Sequence, residues 1–229
     1  MLSTLILPLL PLALAMPPPI PTDKFPLRES LGFRLAVNLT NPASTFPHPI
    51  NGLYVVPFRA GANINHVSLS TNGSVFFTTT ANITRLSTDY LPTGLHMRHV
   101  ESDPEHLNYL GLNSGNAGTP GFGVTKWPHT CASLGGPTPG TFVVCDTGFE
   151  APNRPRLAIE YVEGVANAEY GKYYEEESNV PENCAAVKLL PECAELGGTK
   201  KGEGEEIVVS RCYRDVKEIT WEEGMLICL

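Results

Sequence analysis

The chain has 229 residues, with 16 Lys/Arg against 24 Asp/Glu and a formal net charge of −8. With no basic excess in any part of it, nucleic acid is not an expected partner. Six cysteines, an even number, fit an oxidising compartment but are too few for a disulfide-dense miniature fold, so an apolar core must carry most of the stability.

The first fifteen residues, MLSTLILPLLPLALA, hold no charged side chain and end in Ala13-Leu14-Ala15. An apolar run with small residues at its end predicts a secretory signal peptide (1–15) cut after Ala15, and the run is too short to span a bilayer. No later stretch is long enough either, so a secreted, extracellular chain without a membrane span is expected. Residues 16–30 follow as a Pro-rich, extended lead-in carrying Pro17, Pro18, Pro19, Pro21 and Pro26. Residues 31–229 are then expected to form a single β-rich domain, acting as a monomer.

Phe33 to Thr40 is the clearest strand. Phe33, Leu35, Val37 and Leu39 alternate with polar or small residues, which leaves Asn38 on the wet face. Gly52 to Thr80 reads as two or three further strands. Val67 and Leu69 alternate with His66, Ser68 and Ser70, and Asn72-Gly73 suggests a tight type I′ turn into a return strand at Val75. On that register Val67, Leu69, Phe77, Phe33, Leu35 and Val37 share one core. Residues 81–105 read as a long polar loop with a short strand near Leu95.

Leu107 to Leu112 resumes strand character, and Asn113 to Gly123 holds four glycines. Strand rather than helix follows them, with no Lys-Ser or Lys-Thr pair, which argues for a wide turn and against a phosphate loop. Phe122–Trp127 and Thr141–Cys145 look like the arms of a hairpin, and Leu157–Tyr161 is another alternating strand. Residues 150–229 carry nine Lys/Arg against seventeen Asp/Glu, so the acidic balance lies wholly in the C-terminal segment. Val216 to Trp221 suits a final strand or a short helical turn. The pattern as a whole predicts a mainly β fold, an antiparallel β-sandwich-like domain with a disulfide-stapled acidic C-terminal segment.

No catalytic or cofactor motif stands out. There is no G-x-S-x-G, and nothing selects two carboxylates from the many for glycosidase chemistry. His96, His99 and His106, interleaved with Glu101, Asp103 and Glu105, are the densest potential metal ligands. In an extended segment, however, His96 and His99 fall on opposite faces, so no metal site and no cofactor is expected. Three N-x-[ST] sequons make Asn38, Asn72 and Asn82 candidate glycosylation sites. Trp127, Tyr173 and Tyr174 are the candidate ligand-facing aromatics.

Among the cysteines, Cys193 and Cys212 flank a charged tip centred on Gly202, at nearly equal distance. A hairpin there would bring them opposite each other within bridging range. The same reasoning disfavours Cys131–Cys145; the pairing of Cys131, Cys145, Cys184 and Cys228 stays open.

FRLAVNLT, GLYVV, RAGANINHVSL, the Asn113–Gly121 glycine loop and the tail from Cys184 through LLPECAEL to Trp221 resemble a family of secreted proteins from filamentous ascomycete fungi classed as a domain of unknown function. The resemblance implies an extracellular β-rich protein with no assigned activity. A secreted, non-enzymatic module is therefore the favoured reading, with cell-wall or host glycan or protein as its partner. A secreted hydrolase with an unrecognised active site is the rival.

Overall fold

The structure, a computed structural model, describes residues 27–41, 44–79, 85–88, 93–99, 107–114, 118–125, 131–148, 150–151, 153–164, 166–167, 172–173, 180–197 and 206–219. Strands β1 (Leu27–Ser30) and β2 (Gly32–Leu39) are followed by β3 (Tyr54–Gly61), β4 (Ile64–Ser70), β5 (Phe76–Thr79) and β6 (Arg85–Thr88). Then come β7 (Thr93–His99), β8 (Leu107–Ser114), the short β9 (Gly123–Val124) and β10 (Leu134–Gly135), β11 (Gly140–Asp146) and β12 (Leu157–Glu163). The C-terminal part holds β13 (Ala166–Asn167), β14 (Lys172–Tyr173), β15 (Cys184–Ala194), β16 (Ile207–Val208), β17 (Ser210–Tyr213) and a 3-10 turn at Val216–Glu218.

These strands form the mainly antiparallel, sandwich-like β architecture that the alternation predicts. The pairings close on themselves. Starting at β2, they run through β15, β11, β12, β8, β7, β6 and β5 and return to β2. Within that circuit β12 and β8 each also pair with β4, and β4 pairs with β3 along its length.

The inner faces make one core. Phe33, Leu35 and Val37 of β2 meet Val67, Leu95, Leu110, Leu112, Val144, Ile159 and Leu189, all buried. β2 therefore turns its expected face inward, while Asn38, expected on the wet face, is half-buried. Its other face also buries Ala36, against a smaller cluster containing Leu190, Tyr213 and Val216. Tyr54 of that cluster donates its hydroxyl to Glu192, and burial together with Glu192 pushes the phenol up to about 12.

Several sequence expectations are corrected. Phe76, not Phe77, stands opposite Phe33 in the main core, while Phe77 is buried outside it. All four residues of β5 are buried, so alternation could not say which face was inward. Asn72-Gly73 makes no type I′ hairpin: neither residue has positive φ, β4 turns back on β3 through Asn63 (φ 60°), and β5 pairs with β2, β6 and β16. The short strand expected near Leu95 is present as Thr93–His99, but residues 85–88 are a further strand rather than loop. Gly140–Asp146 pairs with Leu157–Glu163, while Gly123–Val124 pairs with Leu134–Gly135, so the expected hairpin of 122–127 with 141–145 does not form.

Cys193 and Cys212 are joined, with Cα atoms 5.0 Å apart. The route differs from the expected hairpin, because β15 and β17 run parallel where Glu192 meets Tyr213. Residues 207–208 first pair with β5 on their way to β17. Cys145 is joined to Cys184, its direct cross-strand neighbour. Cys131 is also disulfide-bonded, and Cys228 lies outside the described residues.

Candidate functional site

The candidate site is built on the outer face of β4, β8 and β7. Residues directly opposite in neighbouring antiparallel strands project from the same face. His66 of β4 stands opposite Gly111 of β8, and Gly111 stands opposite His96 of β7. The two imidazoles therefore flank a position that has no side chain, with their Cα atoms roughly 10 Å apart at two strand spacings. One step along, a second row is formed by Glu160 of β12, Tyr109 of β8 and Arg98 of β7.

Two cavities open on this face and share His66 and Tyr109. The first, about 230 Å³, lies over Gly111 between the histidines, with Ile64, Tyr109 and Arg98 at its walls. Ile64 and Tyr109 are two of the four large apolar side chains that stand exposed among the described residues, at 51% and 38%. The second, about 280 Å³, sits beside the junction of β4, β8 and β12, lined by Ala158, Glu160, Thr147, Asn153 and Arg154. Glu160 is buried, at 5% exposure.

The electrostatics differ between the two. Burial lowers the pKa of His96 below its ordinary 6.5, and nearby Arg98 adds to the effect. Burial likewise lowers His66, reinforced by Arg154 and opposed by a hydrogen bond to the Asn153 backbone. His96 Nε2 is buried without a hydrogen-bond partner among the described residues. A buried polar atom left so costs free energy, and it marks a place where a bound group would be favoured.

A separate polar cluster ties a loop down rather than forming a cleft. His48 Nε2 lies 2.7 Å from Asp146 Oδ2 at the end of β11, with Arg156 at 3.7 Å. The hydrogen bond from His48, and a second from the Gly148 backbone, hold the Asp146 carboxyl below the usual carboxylate range.

Of the residues singled out from sequence, His96 and His99 do lie on one strand, on opposite faces. His96 lines the first cavity, while His99 Nδ1 is 3.1 Å from Asn108 Oδ1. His106, Glu101, Asp103 and Glu105 lie outside the described residues, as do Asn82, Trp127 and Tyr174; of Tyr173 only the backbone is described. Among the described residues no group of three His, Cys, Asp or Glu converges in a way that could hold a metal ion. Asn72 is exposed after β4. Sequence reasoning missed His66, Tyr109, Gly111, Arg154 and Glu160. The available signal was Gly111, a glycine inside an otherwise regular strand, which marks a bulge or the close approach of something else.

A family model described as Domain of unknown function (DUF7907) matches residues 30–193. The chain belongs to the DUF7907 family. All six residues of the two cross-strand rows lie within the matched part of this DUF7907 chain, as does Cys193, whereas its partner Cys212 lies beyond it. The chain is also similar to a protein of Stachybotrys chartarum described as "Antigenic protein SchS34", at 29% identity over 208 residues. The match covers 85% of this chain and 90% of the relative. No solved structure matches.

Proposed function

We propose that this DUF7907 protein is an exported, non-enzymatic binding module whose ligand sits in the paired cavities on either side of Tyr109. One observation carries the reading: two adjoining cavities share His66 and a partly exposed tyrosine on the outer face of a sheet whose inner face is close-packed. Concave sites with apolar walls and a few convergent polar groups are what small ligands need. The second cavity, with Asn153, Arg154, Glu160 and the edge of Tyr109, has the mixture of donors, acceptors and ring that a glycan uses.

Export rests on the expected leader 1–15 and on the Cys145–Cys184 and Cys193–Cys212 disulfides, and a relative described as antigenic supports it. In this reading Asn72 carries a glycan on an exposed turn, away from the cavities. Screening the mature chain against a glycan array and a small-molecule set should yield a ligand whose binding is lost in Tyr109→Ala. Binding indifferent to that change would place the ligand elsewhere.

An enzymatic reading has one specific support, the buried Glu160 sharing a cavity with His66 and Arg154. Hydrolysis by the wild-type protein that disappears in Glu160→Gln would replace the binding reading with a hydrolase.

A further inference from the structure

The cavity over Gly111 selects for a narrower chemistry than its neighbour. Its apolar walls are Ile64 and the ring of Tyr109, and its polar groups are two imidazoles, an amide and one guanidinium. A sugar, with a hydroxyl on almost every carbon, would leave several of them buried without partners. An extended acyl chain would have to continue past Tyr109 into the second cavity, where Glu160, Arg154 and Asn153 stand. A flat ring avoids both difficulties. An apolar cavity of about 150 Å³ holds benzene, so about 230 Å³ has room for one or two rings.

Charge fixes the rest. Among the described residues no carboxylate lines this cavity, whereas Arg98 does. Among the described residues the other ionisable groups near the histidines are Tyr109, which borders both cavities, and Arg154 and Glu160 in the second. A cation placed here would meet Arg98; an anion would pair with it. His96 Nε2, buried and without a partner among the described residues, supplies one donor in its Nε2–H form.

Resting on the reading that the paired cavities are the ligand site, we infer that the cavity over Gly111 binds a small aromatic carboxylate. The ring takes the space that a side chain at position 111 would fill, and the carboxylate accepts from His96 and Arg98. Burial lowers the pKa of both imidazoles in the free protein. A bound anion favours their protonated forms, so binding takes up protons and tightens with acidification while the ligand itself stays ionised.

The test is a calorimetric titration of the full mature protein with 2-naphthoate and with 2-naphthalenemethanol, which has the same rings and no charge. Naphthoate should bind, several-fold more tightly at about pH 5.5 than at about pH 7.5, on either side of the ordinary imidazole range. The alcohol should bind more weakly and with little pH dependence. Gly111→Val should abolish binding by filling the gap, and Arg98→Gln should weaken naphthoate alone. Should Gly111→Val fail to fold, His96→Leu removes the donor without adding bulk over Gly111, and should weaken naphthoate as well. Absence of naphthoate binding, binding unchanged in the folded cavity variants, or equal behaviour of acid and alcohol would each overturn the inference. If naphthoate fails while another ligand is still lost in Tyr109→Ala, the inference falls and the paired-cavity reading stands. If neither binds, both fall.

Discussion

Two stretches of outer face in this molecule began from the same alternation and ended differently. On β11 and β12, Val143, Cys145 and Val162 point away from the main core, yet they are buried against Leu107, Val180 and Cys184. On β4, β8 and β7, the equivalent outward positions are His66, Tyr109, Gly111, His96 and Arg98, and cavities open over them. The change happens within β12 itself, where Val162 belongs to the covered cluster and Glu160 lines a cavity two residues earlier. Covered outer faces are apolar because anything else would be desolvated without a partner. The outer face of β4, β8 and β7 keeps imidazole, guanidinium and glycine side by side, and no apolar cluster covers it among the described residues.

The largest expected effect lies beneath both regions. Phe76→Ala, on the shared inner face, should cost about 3–5 kcal/mol in a denaturant titration. Phe76 is fully buried opposite Phe33, so a small effect would mean that the β2–β5 register is wrong.

On the covered face, replacing Cys145 and Cys184 together with serine should cost about 2–4 kcal/mol through the freed unfolded chain. Denaturation midpoints of the double variant and the wild type, compared without reductant, measure it. A midpoint that does not move would remove the bridge from the account of why this face is covered. The open face should behave in the opposite way. Arg98→Ala should change stability by less than about 0.5 kcal/mol, the usual range for exposed substitutions, because it serves a ligand and not the fold. A loss comparable to that of the bridge would make Arg98 structural and weaken the contrast.

Some of this was legible in the chain. β2 announced itself because Arg34 and Asn38 leave its other face polar, and Phe33, Leu35 and Val37 fall where the period of two puts them. β5 did not, because both its faces are buried and a one-residue slip leaves the same apolar pattern. The Cys193–Cys212 bridge was reached through a hairpin that does not exist. Ile207–Val208 crosses to β5 before the chain returns beside β15 in parallel, and no local signal announces such a detour. The candidate site was hidden for a related reason. His66, His96 and Gly111 come together only through strand pairing across as many as 45 residues, and a single sequence carries no register between distant strands. Gly111 inside β8 was the one local hint.

The claim that the cavity over Gly111 is a desolvated, ligand-ready site is tested most directly by following the histidine side chains by NMR as pH is varied. Burial lowers the pKa of both His66 and His96 below 6.5, so the unfolded chain takes up protons that the folded chain resists. Stability contributed by the neutral imidazoles is therefore complete above about pH 6.5 and declines as pH falls below it. The account predicts that His66 and His96 both titrate below 6.5 in the free protein and that 2-naphthoate moves His96 upward. A midpoint for His96 at or above 6.5 in the free protein, or one that naphthoate leaves unmoved, would contradict it.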